Sequence, residues 1–198
     1  MSAKDLERAI VEVLHPVGFV RFKSRREWRR ERDGYLEEVD LQKFRWEPVW
    51  TVNFSIRHQL ARSRLIEITG PGNFGLDFPI NERIGSLLGP MSLSWGEDDP
   101  DGPPAIRSLI QGHLLPYFDQ MRTGGPYIDH LTKYYGQRWT LVTPRLELAI
   151  LLAEQGRVDE ARSLLSGAPN KISPIERARV AAVYRHLFGE DPPQPTPA

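Results

Sequence analysis

Five histidines, His15, His58, His113, His130 and His186, are the first residues to test for acid–base or metal chemistry. No two lie within four residues of each other. A zinc-binding helix needs two histidines one turn apart with a carboxylate beside them, and that spacing is missing. Carboxylates are adjacent at Glu37 and Glu38 and crowded at 97–101 (EDDPD). Neighbours on a strand point to opposite faces, so Glu37 and Glu38 do not form a dyad. The 97–101 run lacks the alternating oxygen ligands and closing Glu of a calcium loop, and reads as a solvated acidic turn. Glycines gather at 70–75 (GPGNFG) and at Gly124-Gly125-Pro126, without the Lys-Ser/Thr pair of a phosphate loop. The chain has no cysteine, which excludes disulfides, thiolate catalysis and cysteine-held metals. No catalytic residue, metal or cofactor is expected.

Two polar groupings remain. Residues 21–32 (RFKSRREWRRER) mix arginines with Phe22 and Trp28. In strand alternation Glu27, Arg29 and Glu31 share one side, and Trp28, Arg30 and Arg32 the other. Arginines beside aromatic rings can follow a phosphate backbone and stack bases, but the interleaved glutamates oppose a polyanion. The simpler reading is an edge strand whose charges block sheet-to-sheet pairing. Such an edge can also receive a protein partner. The second grouping is a polar strip of Asp40, Gln42, Asn53, Ser55 and Arg57 on the outer face of a sheet. Together, Arg29, Arg30, Arg32, Asp40, Gln42, Asn53, Ser55 and Arg57 form the candidate interaction surface.

These residues need a sheet to hold them. Leu6, Ala9, Ile10, Val13, Leu14 and Val17 recur at helical spacing, predicting a first helix over 4–17 that Pro16 and Gly18 end. Residues 19–32 read as one strand or two short ones, closed by the turn signal Asp33-Gly34. Residues 35–46 form the next strand, and 50–57 (WTVNFSIR) the most regular one. In the latter, Trp50, Val52, Phe54 and Ile56 face inward and the polar residues outward, as in an antiparallel sheet with one wet face. Pairing Leu41 with Phe54 sets Gln42 opposite Asn53, Asp40 opposite Ser55 and Glu38 opposite Arg57. Residues 64–69 (RLIEIT) read as a further short strand, 70–79 as a loop with aromatic anchors, and 81–89 as a short helix. A longer helix is expected over 105–121, bent or broken at Pro116.

The last third reads as all-helical. Residues 144–155 and 158–166 form a hairpin turned at Gly156, and 174–188 a further helix. The stretch EQGRVDEARSLL is like one piece of a tetratricopeptide repeat, but with a single copy it reads as a helical cap rather than a solenoid. The expected architecture is α+β: an antiparallel sheet of about four strands packed on helices, with an all-helical C-terminal extension. It divides into a domain over 1–125, helices over 140–190 and a flexible tail over 191–198.

Composition fits a folded chain. Five Trp, six Tyr and eight Phe supply a core, and 26 basic residues balance 26 acidic ones. Residues 21–45 hold nine Lys or Arg against six Asp or Glu, so the balance is local rather than even. The N-terminus has no apolar core of a signal peptide, and no run is long enough to cross a bilayer. A cytoplasmic location is expected, with no membrane partner.

The stretch from Leu14 to Arg57 resembles the DUF4304 family, bacterial domains of undetermined function. The similarity lies in the helix leading into LHPVGF, the aromatic-basic strand, the LQK strand and the strand WTVNFSI. Its matching residues are Leu14, Gly18, Phe19, Trp28, Leu41, Gln42, Lys43, Val52 and Asn53, with Ser24 and Arg25 near further small and basic positions. The resemblance covers about residues 4–120 and implies an α+β core. It carries no catalytic residues. Small bacterial α+β families of this kind include immunity-like proteins, which implies a protein partner.

The leading expectation is therefore a non-catalytic protein-interaction module, immunity-like in type. One alternative is an enzyme of unknown class with a pocket between the sheet edge and the 70–80 loop. Another is a weak nucleic-acid binder using residues 21–32.

Overall fold

The computed structural model describes residues 3–22, 26–71, 78–89, 93–96, 98–135, 141–166 and 172–193. The fold is α+β, with an antiparallel sheet packed against helices and helices alone toward the C-terminus. The chain forms two compact units, one from Met1–Arg57 and Ile80–Thr123, the other from His58–Pro79 and Gly124–Ala198. The expected domain over 1–125 thus contains a segment, residues 58–79, that packs with the second unit. No described helix is long and apolar enough to cross a membrane.

The first unit opens with α1 (Ala3–Leu14), whose Leu6, Ala9, Ile10, Val13 and Leu14 are buried. Burial of each of the Leu, Ile and Val side chains contributes about 1.5–3 kcal/mol. Pro16 falls in a 3-10 turn over His15–Val17, and Gly18 closes it at φ +92°, a conformation that favours glycine. Val17, expected on the buried face, is instead exposed because the helix has already ended.

The sheet holds β1 (Val20–Arg21), β2 (Glu27–Arg32), β3 (Tyr35–Lys43), β4 (Val49–His58), β5 (Ile80–Arg83) and β6 (Trp95–Gly96). Strands β1 to β5 lie side by side in chain order, and β6 pairs with the start of β4. Asp33 and Gly34 both take positive φ, at 51° and 81°, making the two-residue hairpin turn that joins Arg32 to its partner Tyr35. Strand β2 is not an edge: β3 pairs with all of it, and β1 covers Trp28 and Arg29 on the other side. Its charges answer charges on the neighbouring strand.

One face of the sheet carries Trp28, Val39, Leu41, Val52, Phe54 and Ile56, all buried. Phe118 meets this face, with its ring 6.0 Å from Phe54 edge-on and 6.1 Å from Phe19. It stands on α4 (Leu115–Met121), which continues α3 (Gly102–Leu109) through a π-helical turn over Ile110–Leu114. The expectation at Pro116 was a bend or a break, and the break does not occur. Proline lacks the amide that would bond four residues back, and the wider π turn absorbs the loss while the backbone stays helical.

The 81–89 segment differs from its expected helix. Residues 80–83 pair with β4, and only Ile84–Leu88 coil, as a 3-10 turn.

The second unit holds α2 (Gln59–Thr69), α5 (Gly125–Tyr135), α6 (Val142–Glu154), α7 (Val158–Leu165) and α8 (Pro174–Phe188). The RLIEIT segment, expected as a strand, is helical. It is the second half of α2, in which Ala61, Arg62 and Leu65 are buried at helical spacing, and His58 caps the start by accepting the Ala61 amide at Nδ1. Helix α5 was not foreseen: Gly124 at φ +87° makes the expected turn, and the helix begins directly after it. Helix α6 is buried almost all round because α2, α5, α7 and α8 pack on it. Gly156, at φ +76°, turns α6 into α7 as expected. A capping box between Ser173 and Glu176 starts α8, and Gly189 at φ +72° ends it. Most of the expected tail over 191–198 lies outside the described residues.

Candidate functional site

Register decides which polar residues meet. On β2 and β3 the pairs are Glu27 with Asp40, Arg29 with Glu38 and Arg30 with Glu37. The odd and even rows therefore fall on opposite faces, and Glu37 and Glu38 are separated by the sheet.

Glu37 lies in the row of Trp28, Val39 and Leu41, on the core side. It is fully buried and held by two guanidiniums. Arg30 donates to it at 2.7 Å, and Arg122, from the end of α4, binds its other oxygen. Arg30 also donates to the Val17 carbonyl at 2.8 Å. Arg30 was expected on the interaction surface, but this burial removes it from any surface. It belongs to the core because only a carboxylate–guanidinium cluster lets these charges leave water together.

The opposite face carries the candidate site. Arg29 bridges two carboxylates, donating from Nε to Glu38 and from Nη2 to Glu27, each at 2.6 Å. Its guanidinium also lies 3.6 Å from the centre of the Phe22 ring. Burial beside the hydrogen-bonded Glu27 pushes the Glu38 carboxyl up to about 7, against the pull of Arg29. Burial likewise raises Asp40, with the amide of Asn53 opposing the rise and Glu27 across the strand adding to it. Glu38 was expected to meet Arg57, and its bond to Arg29 was not foreseen.

Asn53 joins the strip together. Its Nδ2 donates to Asp40 Oδ2 and to Gln42 Oε1, both at 2.9 Å. The expected Gln42–Asn53 neighbourhood is therefore present as a direct bond. Strand β5 adds Asn81 and Arg83, opposite Ser55 and Asn53. Asp40, Gln42, Asn53, Asn81, Glu82 and Arg83 line an open recess of about 410 Å³, with no apolar side chain among the described residues of its wall. A second recess, of about 400 Å³, adjoins it through Asp40 and Gln42 and reaches Arg26, Lys43 and Trp50. The centre of the Trp50 ring lies 4.6 Å from Arg26 and 5.5 Å from Lys43, and its Nε1 is buried without an acceptor.

The face is not uniformly wet. Ser55 is buried, as is Thr51, whose hydroxyl donates to the Leu93 carbonyl at 3.0 Å. Ser55 therefore does not belong to an exposed strip. Arg57 is half-buried near the end of β4, and Arg32 is exposed beside Asp33 at 3.6 Å. Of the eight expected residues, Asp40, Gln42 and Asn53 come together at the recess. Arg29 stands on the same face among carboxylates, and Arg30, Arg32, Ser55 and Arg57 lie elsewhere or under cover. Asn81 and Arg83 were missed because three polar residues in a row, Asn81-Glu82-Arg83, carry no two-residue alternation, and the pairing with β4 that makes them a strand is distant in sequence.

The described arginines of 21–32 all have carboxylate partners. Arg21 and Arg26 pair with Glu7 at 2.6 and 3.2 Å, Arg29 with Glu27 and Glu38, Arg30 with Glu37, and Arg32 with Asp33. Ser24 and Arg25 lie outside the described residues, as do Glu97 of the acidic turn and most of the 70–75 glycine segment. Among the described residues no group of three or more His, Asp or Glu is placed to hold a metal ion.

The chain matches no family model, no curated protein and no solved structure.

Proposed function

We propose that this chain is a recognition module that binds another protein through the polar face of its sheet. The observation that carries this reading is the strip Asp40–Gln42–Asn53. Its members are fixed to one another by the Asn53 amide and open into a recess completed by Asn81 and Arg83. Polar groups held on a rigid sheet lose little freedom when a partner bonds to them, which favours binding. Its carboxamides, carboxylates and guanidinium can pair with peptide groups and with charges of either sign. The resemblance to DUF4304 domains transfers no catalytic residue.

The pairing of the 21–32 arginines supports this reading over nucleic-acid binding, because a guanidinium already bonded to a carboxylate releases few counterions from a phosphate chain. A second reading has one specific observation behind it: a carboxyl that titrates near neutrality, Glu38, beside a second recess. It would act in general acid–base catalysis.

The test is affinity capture from native extract with the wild-type chain and with a Gln42→Arg/Arg83→Glu double variant. Neither residue belongs to the buried core. The reading expects a stoichiometric protein partner that the variant loses while its thermal melt is unchanged. A partner retained equally by both chains would overturn it.

A further inference from the structure

Trp46 has 85% of its surface in water, more than any other described large apolar side chain. It stands in the connection between β3 and β4, which Phe44 closes by donating its amide to the Val49 carbonyl at 3.0 Å. An indole is amphipathic and large, and a fully exposed one contributes little to its own fold. It also recurs as a dominant anchor in protein interfaces.

Two observations tie the start of this connection to the recess, and a third concerns Trp46 itself. Phe44 follows Asp40 and Gln42 at the same two-residue spacing, one residue past the end of β3. Arg83, which lines the recess, lays its guanidinium 4.8 Å from the Phe44 ring centre. Arg45 does the same to Trp46 at 4.7 Å. A recess without apolar lining lacks the dry centre that protein interfaces have, and the adjoining aromatic tip supplies one. Each ring at the tip carries a guanidinium, with Glu47 next to Trp46 and Glu82 next to Arg83 in the chain, so the tip offers both signs of charge.

We infer that Trp46 is the anchor of the interface: it inserts into an apolar pocket of a partner protein whose rim carries carboxylates that meet Arg45 and Arg83. This inference rests on the protein-recognition reading. A membrane surface is the less favoured occupant, because a uniformly anionic headgroup layer would meet Glu47 and Glu82 as well as the arginines, whereas a protein rim can set its carboxylates against Arg45 and Arg83 alone.

The experiment uses the full chain as bait in native extract, as wild type, Trp46→Ala, Trp46→Phe, Arg45→Glu and Gln42→Arg/Arg83→Glu. The captured protein is then purified and titrated against each variant. The expected result is at least a tenfold loss of affinity for Trp46→Ala and a smaller one for Trp46→Phe. Arg45→Glu also weakens binding, and its effect shrinks as salt rises. Thermal melts of all variants match the wild type. If Trp46→Ala binds as the wild type while the recess variant does not, the anchor is wrong and the recognition reading survives. If the wild type captures no stoichiometric protein, both fall. Trp46-dependent binding to vesicles of phosphatidylserine and phosphatidylcholine, with no protein captured, would replace the protein partner by a lipid surface.

Discussion

Arg30 and Glu37 lie directly opposite each other on β2 and β3 and share a buried ion pair on the core side of the sheet. The pair is closed by Arg122, which brings the end of α4 onto the same carboxylate. Arg122 also pairs with Asp33 and Asp119, so Arg30 is the cation that depends on Glu37 alone. Glu37→Ala leaves the buried Arg30 guanidinium uncompensated, and a loss of about 3–5 kcal/mol is expected. Urea denaturation measures it. A loss below about 1 kcal/mol would show that water reaches the cluster.

Glu38 makes stability depend on pH in the direction opposite to most carboxyls. Its pKa is raised from 4.5 to about 7 by burial, so between those values the folded chain holds a proton that the unfolded chain has lost. Its contribution is complete below pH 4.5 and disappears as pH rises through about 7. Glu38→Gln should therefore be more stable than wild type at pH 8, by about 1–3 kcal/mol, with the difference closing at acid pH. Denaturation of both chains at pH 5 and pH 8 decides it, and an equal difference at the two pH values would contradict it.

His58 works the other way. Its Nδ1 accepts the Ala61 amide only when unprotonated, and burial lowers its pKa below 6.5. The stabilisation is present above pH 6.5 and is lost as pH falls through the lowered value. His58→Ala should cost about 0.5–2 kcal/mol at pH 8 and flatten the acid limb of a melting-temperature profile. A profile that keeps its acid limb would assign that limb to other groups.

Phe118 tests the core. It touches both Phe19 and Phe54 and is fully buried. Phe118→Ala should cost about 3–5 kcal/mol, read by urea denaturation, while Phe118→Leu costs less because it leaves a smaller void.

Much of this fold is legible locally. The Asp33-Gly34 turn, the alternation of 50–57 and the Ser173–Glu176 cap each carry their own instructions, so β2, β3, β4 and α8 stand where the residues place them. The α2 segment was not legible, because Leu65, Ile66 and Ile68 suit either period. The His58 cap and the packing of α2 on α6 and α8 decide it, and those partners are distant in sequence. The site was half legible. Asp40, Gln42 and Asn53 follow from alternation, whereas the meeting of Glu27 with Glu38 through Arg29 depends on cross-strand register. Arg30 misled because a row of arginines on a strand has the same appearance whether it faces water or buried glutamates.

Neither compact unit is contiguous in the chain, and this bears on synthesis. Helix α2 carries Arg62, whose buried partner Glu147 lies 85 residues later. At about 5–20 residues per second, the ribosome delivers Glu147 some 4–17 s after Arg62. Until then the face that α2 packs on α6 and α8 in the finished unit waits for partners still to be made, an interval in which a chaperone could hold it.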